Sequence, residues 1–326
     1  MISDADVARY HEDGYIVVPD VLTPAQLDAL RSECDEVVAG ASKVTENDAC
    51  YDLEATHTPE RPRVRRIKDP LAVMPSSWEI GKDPRVLSIL ERLIGPDIRL
   101  QKAKLNMKSA EYGAPVEWHQ DWAFYPHTND DLLAMGVMMD DCHLENGPLL
   151  MVPGSHRGPV FDHHADGYFC GAIDPSTCGV DFGEKAVPLT GPAGSLTFHH
   201  VRMVHGSAQN TSARERRLLL YQYQAADAWP LMERYPNLEA YASMVVAGAP
   251  TTAPRLADVP VRMPVPVAVH DGSIYENQRT LGARYFETTG TAQSEAAEYG
   301  LHASGCAIGG AAEAEPSLRL KRTRLE

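Results

Sequence analysis

Four short segments of the chain place an acidic residue two positions after a histidine, a spacing that can serve metal binding. Side chains alternate along a strand, so residues two positions apart lie on one face and can reach the same metal ion. Two histidines and one carboxylate on one face of the metal are typical of non-haem Fe(II) sites. The four pairs are His11 with Asp13, His119 with Asp121, His143 with Glu145, and His164 with Asp166.

The surroundings of each pair distinguish them, because so short a motif also occurs by chance. His11 lies in a predicted helix, where residues two positions apart do not face each other. His143 precedes an Asn-Gly turn and is interpreted as structural, and His164 is predicted in a polar surface loop. His119 is the best candidate, because aromatic residues crowd both sides of it and either line a pocket or belong to the core. These aromatic residues are Trp118, Trp122, Phe124 and Tyr125.

A histidine and an arginine farther along the chain could complete such a site. His205 follows a predicted strand, and Arg216 opens the next strand eleven residues later. Arg216 begins a largely apolar face, and a buried guanidinium there requires an anion. A dicarboxylate bound in bidentate fashion would supply that anion. The alternative is a rim arginine paired with a protein carboxylate, and Arg214 and Arg217 are rivals for the role.

Three helices are predicted in the first hundred residues, at 3–13, 23–39 and 83–94. Thr23 is a favourable N-cap, Pro24 suits the first helical position, and Gln26 can complete a capping box. Asp83 begins the third helix as its cap, and Gly95 follows its end. Helices therefore dominate the start of the chain.

The period of the apolar residues changes to two from about residue 97, which is typical of strands. The run 132–139 is almost continuously apolar and suits a central strand. Many short strands between Gly/Pro turns predict a β-sandwich or barrel that carries N-terminal helices. The predicted strands are residues 15–18, 98–108, 132–139, 149–152, 195–199 and 216–224.

Composition and charge exclude several classes of protein. The 326 residues include 30 Lys and Arg and 45 Asp and Glu, which give a formal net charge of −15. Nucleic-acid binding is not expected, because phosphate contacts need clustered basic residues. No CxxC pair indicates a structural zinc site, and no apolar run is long enough to span a membrane. We expect a cytoplasmic protein with reduced thiols.

One basic run stands out in this acidic chain, residues 61–66, with the sequence RPRVRR. We interpret it as a solvated loop, and the alternative is a contact with an anion near the mouth of a pocket. Residues 248–268 hold five prolines and are predicted to form an extended connection. Residues 289–326 are predicted to form an Ala/Gly-rich tail.

Three ordered segments resemble the phytanoyl-CoA dioxygenase (PhyH-like) family of Fe(II)/2-oxoglutarate oxygenases. The resemblance extends over about residues 5–228, includes the DGYIVV segment at 13–18, and places Arg216 at the family's distance from His205. It implies a single domain over residues 1–288. The three segments are WHQDWAFYP at 118–126, ENGPLLMVPGSHRG at 145–158, and HGSAQNTS at 205–212.

The resemblance implies a mainly β fold with flanking helices: a double-stranded β-helix, or cupin-like jelly roll, with the N-terminal helices packed outside. It implies Fe(II), 2-oxoglutarate and O2 as cofactor and cosubstrates. Some relatives carry a tryptophan beside the cosubstrate where this chain has Val137. The implied metal ligands are His119, Asp121 and His205, and the implied 2-oxoglutarate contacts are Arg216, Ser207, Gln120, Lys104 and Lys68.

The function that we expect is oxidation, above all hydroxylation, of an unactivated C–H bond in a small organic molecule, with release of succinate and CO2. Secondary metabolism is one setting. Halogenating relatives replace the metal carboxylate with Gly or Ala, and Asp121 therefore favours hydroxylation. The first alternative is a jelly-roll metalloenzyme that does not use 2-oxoglutarate, such as a cupin-like isomerase or a cosubstrate-free dioxygenase. The second is a binding protein on the same scaffold.

Overall fold

Two antiparallel sheets form the centre of the molecule in the computed structural model, which describes residues 2–233, 235–270 and 272–288. The larger sheet has the order β1-β11-β6-β13-β4-β3-β2, with β14 paired to β4, and the smaller has the order β10-β7-β12-β5. β8 and β9 form a separate hairpin. The strands are β1 Tyr15–Val18, β2 Tyr51–Leu53, β3 Val64–Ile67, β4 Ile98–Lys108, β5 Val116–His119, β6 Leu132–Met138, β7 Leu149–Met151, β8 His164–Ala165, β9 Tyr168–Phe169, β10 Val187–Leu189, β11 Leu196–His200, β12 His205–Ser207, β13 Arg216–Ala225 and β14 Val245–Ala247.

Five of the helices precede β4, and their ends follow the capping rules. Ser3 and Thr23 each cap a helix through a reciprocal capping box, and Gly14 ends the first helix in the left-handed conformation. Asp83 accepts a hydrogen bond from the backbone of Arg85. The helices are α1 Asp4–Asp13, α2 Pro24–Gly40, α3 Pro70–Val73, α4 Pro75–Gly81, α5 Pro84–Ile94, α6 Leu238–Ala242 and α7 Ile274–Asn277.

The N-terminal helices cover the outer face of the larger sheet. Leu30 and Leu90 from two helices share one buried cluster with Leu105 of β4 and Leu219 of β13. Tyr221 and Tyr223 point to the same side, where their hydroxyls donate to the backbone carbonyls at the start and end of α4. The helices are thereby fixed to the sheet by both apolar burial and hydrogen bonds.

The inner face of the larger sheet packs against the smaller sheet. Leu218 and Leu220 of β13 share a buried cluster with Met138, Met151 and Leu189. Because side chains alternate along β13, its odd-numbered residues point to the helices and its even-numbered residues point between the sheets. The result is a jelly roll with helices outside, as the sequence predicts. Among the described residues, no helix has the length and apolar character needed to cross a membrane.

The predicted elements agree with the observed ones except at the basic run. The three long helices and the six predicted strands are present within one or two residues of their predicted bounds. The interpretation of residues 61–66 as a solvated loop is wrong in its second half, because Val64–Ile67 is β3 and Arg65 is buried. Residues 248–268 contain no helix or strand. The predicted tail at 289–326 lies outside the described residues.

Candidate active site

Two histidines from neighbouring strands of the smaller sheet face each other. β12 pairs with β5 so that His205 lies directly opposite His119, and their ring centres are 4.0 Å apart. Asp121 begins a short 3-10 helix two residues after His119. One ligand atom from each of the three side chains lies within 4.8 Å of the others. The three residues therefore form a compact, buried His/Asp/His cluster.

Each histidine is oriented by its own strand. Nδ1 of His119 lies 2.8 Å from the carbonyl oxygen of Glu117, and Nδ1 of His205 lies 3.0 Å from that of Met203. A proton on Nδ1 donates to each carbonyl, which leaves the lone pair on Nε2 for a metal. Burial lowers the pKa of His119 to about 4 and the pKa of His205 well below its usual value. Both rings are therefore neutral at pH 7, the form that binds a metal.

The carboxylate of Asp121 is surrounded by cationic and polar groups. Burial opposes its ionisation, but Lys104 and the neighbouring imidazoles lower its pKa well below the usual value. Nζ of Lys104 lies 3.9 Å from Oδ1, and Nε2 of His199 lies 3.7 Å from Oδ2. Tyr125 is close enough that the charge of Asp121 adds to burial in raising the pKa of its hydroxyl. The carboxylate of Asp121 is thus ionised within a positive environment.

The guanidinium of Arg216 is buried and incompletely paired. Its Nη2 donates to the carbonyl of Gly147 at 2.7 Å, whereas its buried Nε makes no hydrogen bond. In the described part of the chain, no carboxylate lies within salt-bridge distance of it. The two rival arginines have such partners: Arg217 bonds Asp140 in two contacts, and exposed Arg214 lies 3.4 Å from Glu145.

One cavity contains the His/Asp/His cluster and Arg216. It lies between the two sheets, and its lining ranges from Arg216, which is 3% exposed, to the side chain of Lys102, which is 52% exposed. The larger sheet contributes most of the lining, and the C-terminal part of the described chain contributes two residues. The lining residues are Lys102, Ala103, Lys104, Asn106, Val116, His119, Asp121, Tyr125, Ala134, Leu149, His199, His205, Gly206, Ser207, Arg216, Leu218, Leu220, Tyr221, Gln222, Ile274 and Tyr275.

Two of the five residues implied to contact 2-oxoglutarate lie outside this cavity. Gln120 points away from it: its amide donates to the carbonyls of Pro159 and Arg202 and accepts from the amide of Phe161. Lys68 forms an ion pair with Asp52 at 3.1 Å and donates a hydrogen bond to the carbonyl of Asp48 at 2.6 Å. Both side chains are therefore engaged elsewhere. The other three, Arg216, Ser207 and Lys104, line the cavity, and their contact with 2-oxoglutarate stays a prediction.

The flanking aromatic residues divide between the cavity and the core. Tyr125 lines the cavity, whereas Trp118 is 1% exposed and packs against Phe286. Trp122 is fully buried in a separate cluster. Val137 also faces away from the cavity, into the helix-covered core. Its assignment to the cosubstrate side is therefore wrong by one position, because the pleat reverses the face with each residue.

The C-terminal part of the described chain supplies a wall of the cavity that the motifs did not indicate. Ile274 and Tyr275 of α7 line the cavity. Arg65 of β3 holds this helix, with its guanidinium 4.6 Å above the ring of Tyr275 and 2.6 Å from Oε1 of Glu276. The basic run therefore contributes to the site through its buried arginine, and no sequence signal near residue 275 pointed to the role.

Comparisons with known proteins agree with this geometry. The model of the family "Phytanoyl-CoA dioxygenase (PhyH)" matches residues 10–218. A Stutzerimonas stutzeri protein named "Probable alpha-ketoglutarate-dependent hypophosphite dioxygenase" is 36% identical over 285 residues, covering 85% of this chain and 98% of that protein. The L-proline trans-4-hydroxylase of Streptomyces griseoviridis is 30% identical over 256 residues, covering 70% and 88%.

A solved structure supports the fold. The crystal structure of EctD from S. alaskensis with bound Fe has a TM-score of 0.60 and 23% identity, covering 72% of this chain and 82% of that chain. The likeness confirms the jelly-roll prediction. The family match covers most of the chain, and the sequence relatives are oxygenases, which supports the main functional prediction over its alternatives. The chain belongs to the phytanoyl-CoA dioxygenase (PhyH) family of Fe(II)- and 2-oxoglutarate-dependent oxygenases.

Proposed function

We propose that His119, Asp121 and His205 hold Fe(II), and that Arg216 and Ser207 hold the distal carboxylate of 2-oxoglutarate. The observation that carries this assignment is one cavity lined by a buried His/Asp/His cluster and a buried, half-paired guanidinium. The donor set of two neutral imidazoles and one carboxylate fits Fe(II), and a planar guanidinium fits a carboxylate.

The reaction balances as substrate-H plus 2-oxoglutarate plus O2, giving substrate-OH plus succinate plus CO2. One oxygen atom enters the product and the other enters succinate. Bound Fe(II) supplies the activation of O2. The protein contributes geometry: β5 and β12 fix the imidazoles, β13 aims Arg216, and the two sheets with α7 exclude water from one end of the cavity.

The substrate is a small molecule, and the relatives suggest which to test first. The relatives named above act, by their names, on hypophosphite and L-proline. Hypophosphite is the first candidate, because that relative matches over nearly its whole length. Its oxidation at a P–H bond would give phosphite. L-proline represents the organic C–H substrates that the sequence predicts. A cytoplasmic enzyme without nucleic-acid partners remains the prediction.

The experiment that tests this proposal is an anaerobic titration of the metal-free protein with Fe(II) and 2-oxoglutarate. A visible charge-transfer band that requires both components is the expected result. The Arg216→Gln protein should bind Fe(II) but form the band only at much higher 2-oxoglutarate concentrations. Iron binding with no band would favour a metalloenzyme without this cosubstrate. With air admitted, succinate and phosphite should form in equal amounts from hypophosphite, as followed by 31P NMR.

A further inference from the structure

The end of the cavity away from Arg216 is lined by two lysines, Lys102 and Lys104, which we call the lysine end. We infer that the lysine end binds an anionic group of the substrate, so that the substrate is a compact oxyanion such as a phosphinate or a carboxylate. This inference rests on the proposed function, because it assumes that Arg216 is occupied by 2-oxoglutarate.

The register of two strands separates the lysine end from Arg216. Across the β13–β4 pair, Arg216 lies opposite Lys108, Leu220 lies opposite Lys104, and Gln222 lies opposite Lys102. At about 3.3 Å per residue, Lys104 and Lys102 stand roughly 13 Å and 20 Å along the strands from Arg216. The five-carbon chain of 2-oxoglutarate, with bonds of about 1.5 Å, spans only about 5–6 Å. One such molecule cannot engage Arg216 and also reach Lys102.

The cluster of metal ligands lies between the two ends. Nζ of Lys104 is 3.9 Å from Oδ1 of Asp121, which places this lysine beside the metal site and outside hydrogen-bond range. A group bound at Lys104 and Lys102 would therefore lie next to the metal on the side opposite Arg216. That is where a substrate must lie to be oxidised while 2-oxoglutarate occupies the Arg216 end.

The charges of the cavity leave a positive excess after both cofactors are counted. Fe(II) and the 2-oxoglutarate dianion cancel, Asp121 contributes one negative charge, and Lys102, Lys104 and Arg216 contribute three positive ones. Glu233 offsets part of this excess at the mouth, where it is 4.0 Å from Lys102 and 39% exposed. A cation held in a partly buried cavity without a counter-charge is costly, so the excess favours an anionic occupant.

A further cation lies behind the lysine end. Arg66 of β3 pairs in register with Asn106, a cavity-lining residue, and paired residues share a face of the sheet. Its buried Nε makes no hydrogen bond with any residue that the structure describes. Burial lowers the pKa of Lys102, and the positive charge of Arg66 lowers it further against the opposing charges of Glu233 and Asp121, so Arg66 and Lys102 repel each other. This mutual repulsion is relieved when an anion binds among them.

The test uses the Fe(II)- and 2-oxoglutarate-loaded protein without oxygen. Hypophosphite, acetate, L-proline and neutral glycerol are titrated separately, and binding is read from the change in the charge-transfer band and by calorimetry. We expect the wild type to bind at least one of the anions and not glycerol. Lys102→Gln should weaken binding of that anion about 5- to 20-fold, with the affinity for 2-oxoglutarate unchanged. Lys102→Arg should retain most of the affinity.

Lys102 is the residue to vary because its side chain is 52% exposed and does not contact a metal ligand. The matched control is Lys185→Gln at an exposed surface lysine, which should bind as the wild type does. If no anion binds, if glycerol binds as tightly, or if Lys102→Gln leaves anion affinity unchanged, the inference is overturned. Absence of the charge-transfer band in the wild type would instead refute the proposed function, on which this inference rests.

Discussion

The two ends of the cavity are built differently. At the Arg216 end, the guanidinium is 3% exposed and is fixed by Gly147, while buried Lys108 donates to the carbonyls of Ser207 and Ala208. At the lysine end, the side chains of Lys104 and Lys102 are 26% and 52% exposed, their ion pairs with acids are long at 3.9 and 4.0 Å, and Lys102 also lies 5.0 Å above the ring of Tyr125. The Arg216 end, which we call the closed end, is therefore organised before any ligand arrives. The lysine end is open to solvent and has charge but little fixed geometry.

This difference indicates that the two ends bind different molecules. Preorganised, desolvated groups bind one ligand strongly and in one orientation, which suits a cosubstrate that is the same in every turnover. Long lysine side chains present a charge without a fixed direction, which suits attraction of a small anion from solvent. The proposed metal ligands lie between the two ends, where the cosubstrate and the substrate would meet.

The largest effect is expected at the closed end. Arg216→Gln removes the bidentate cation, and we expect the Kd for 2-oxoglutarate to rise about 100- to 1000-fold, corresponding to roughly 3–4 kcal/mol. Anaerobic titration of the charge-transfer band measures this directly. Arg214→Gln is the control, because its exposed side chain lies outside the cavity and 3.4 Å from Glu145. Similar affinities in the two variants would show that the ends do not differ as described.

A smaller effect is expected from the wall that α7 contributes. Tyr275→Ala opens the cavity beside Arg216 and removes the ring beneath Arg65, so we expect the Kd for 2-oxoglutarate to rise about tenfold. Tyr275→Phe keeps the ring and should stay within about threefold of the wild type. The same titration, with thermal melting to verify folding, measures both variants. An unchanged Kd for Tyr275→Ala would show that α7 does not contribute to 2-oxoglutarate binding.

The local parts of the site could be predicted from the sequence, and the distant parts could not. The pairing of His119 with Asp121 depends on strand alternation within three residues, and the strand from Arg216 was recognisable by its apolar face. The face of Lys102 was not, because an irregularity in the β13–β4 register lies beside it. Tyr275 is 59 residues beyond Arg216, and it reaches the cavity through tertiary contacts with Arg65 of β3 and Val116 of β5.

The alternation that pairs His119 with Asp121 also predicts the direction of the Gln120 side chain. Alternation puts His119 and Asp121 on one face, and it must therefore send Gln120 to the other. The backbone of Gln120 is extended, with φ −119° and ψ 127°, as that rule requires. The extended backbone therefore directs the Gln120 side chain away from the cavity, although the family resemblance implies a position near the cosubstrate.

Gln120→Ala tests whether that residue belongs to the closed end. Its amide bonds three backbone groups, and their loss should lower the free energy of unfolding by about 2–3 kcal/mol. The Kd for 2-oxoglutarate should stay within about twofold. Urea denaturation and the band titration give the two values. If the variant is as stable as the wild type but binds 2-oxoglutarate more weakly, Gln120 contacts the cosubstrate after all.

Lys68→Met is expected to have the smallest effect. Asp52, 1% exposed, loses a lysine 3.1 Å away, but the Lys68 side chain is 31% exposed and solvent screens the pair. We therefore expect a stability loss of about 1 kcal/mol or less, and no change in 2-oxoglutarate affinity. Asp52→Asn is the matched variant: if the two residues act only on each other, the double variant should be less destabilised than the sum of the single ones. A rise in the Kd for 2-oxoglutarate with Lys68→Met alone would mean that Lys68, just after β3, contributes to the Arg216 end as Arg65 does. The set of residues that organise the Arg216 end would then include the Lys68–Asp52 pair.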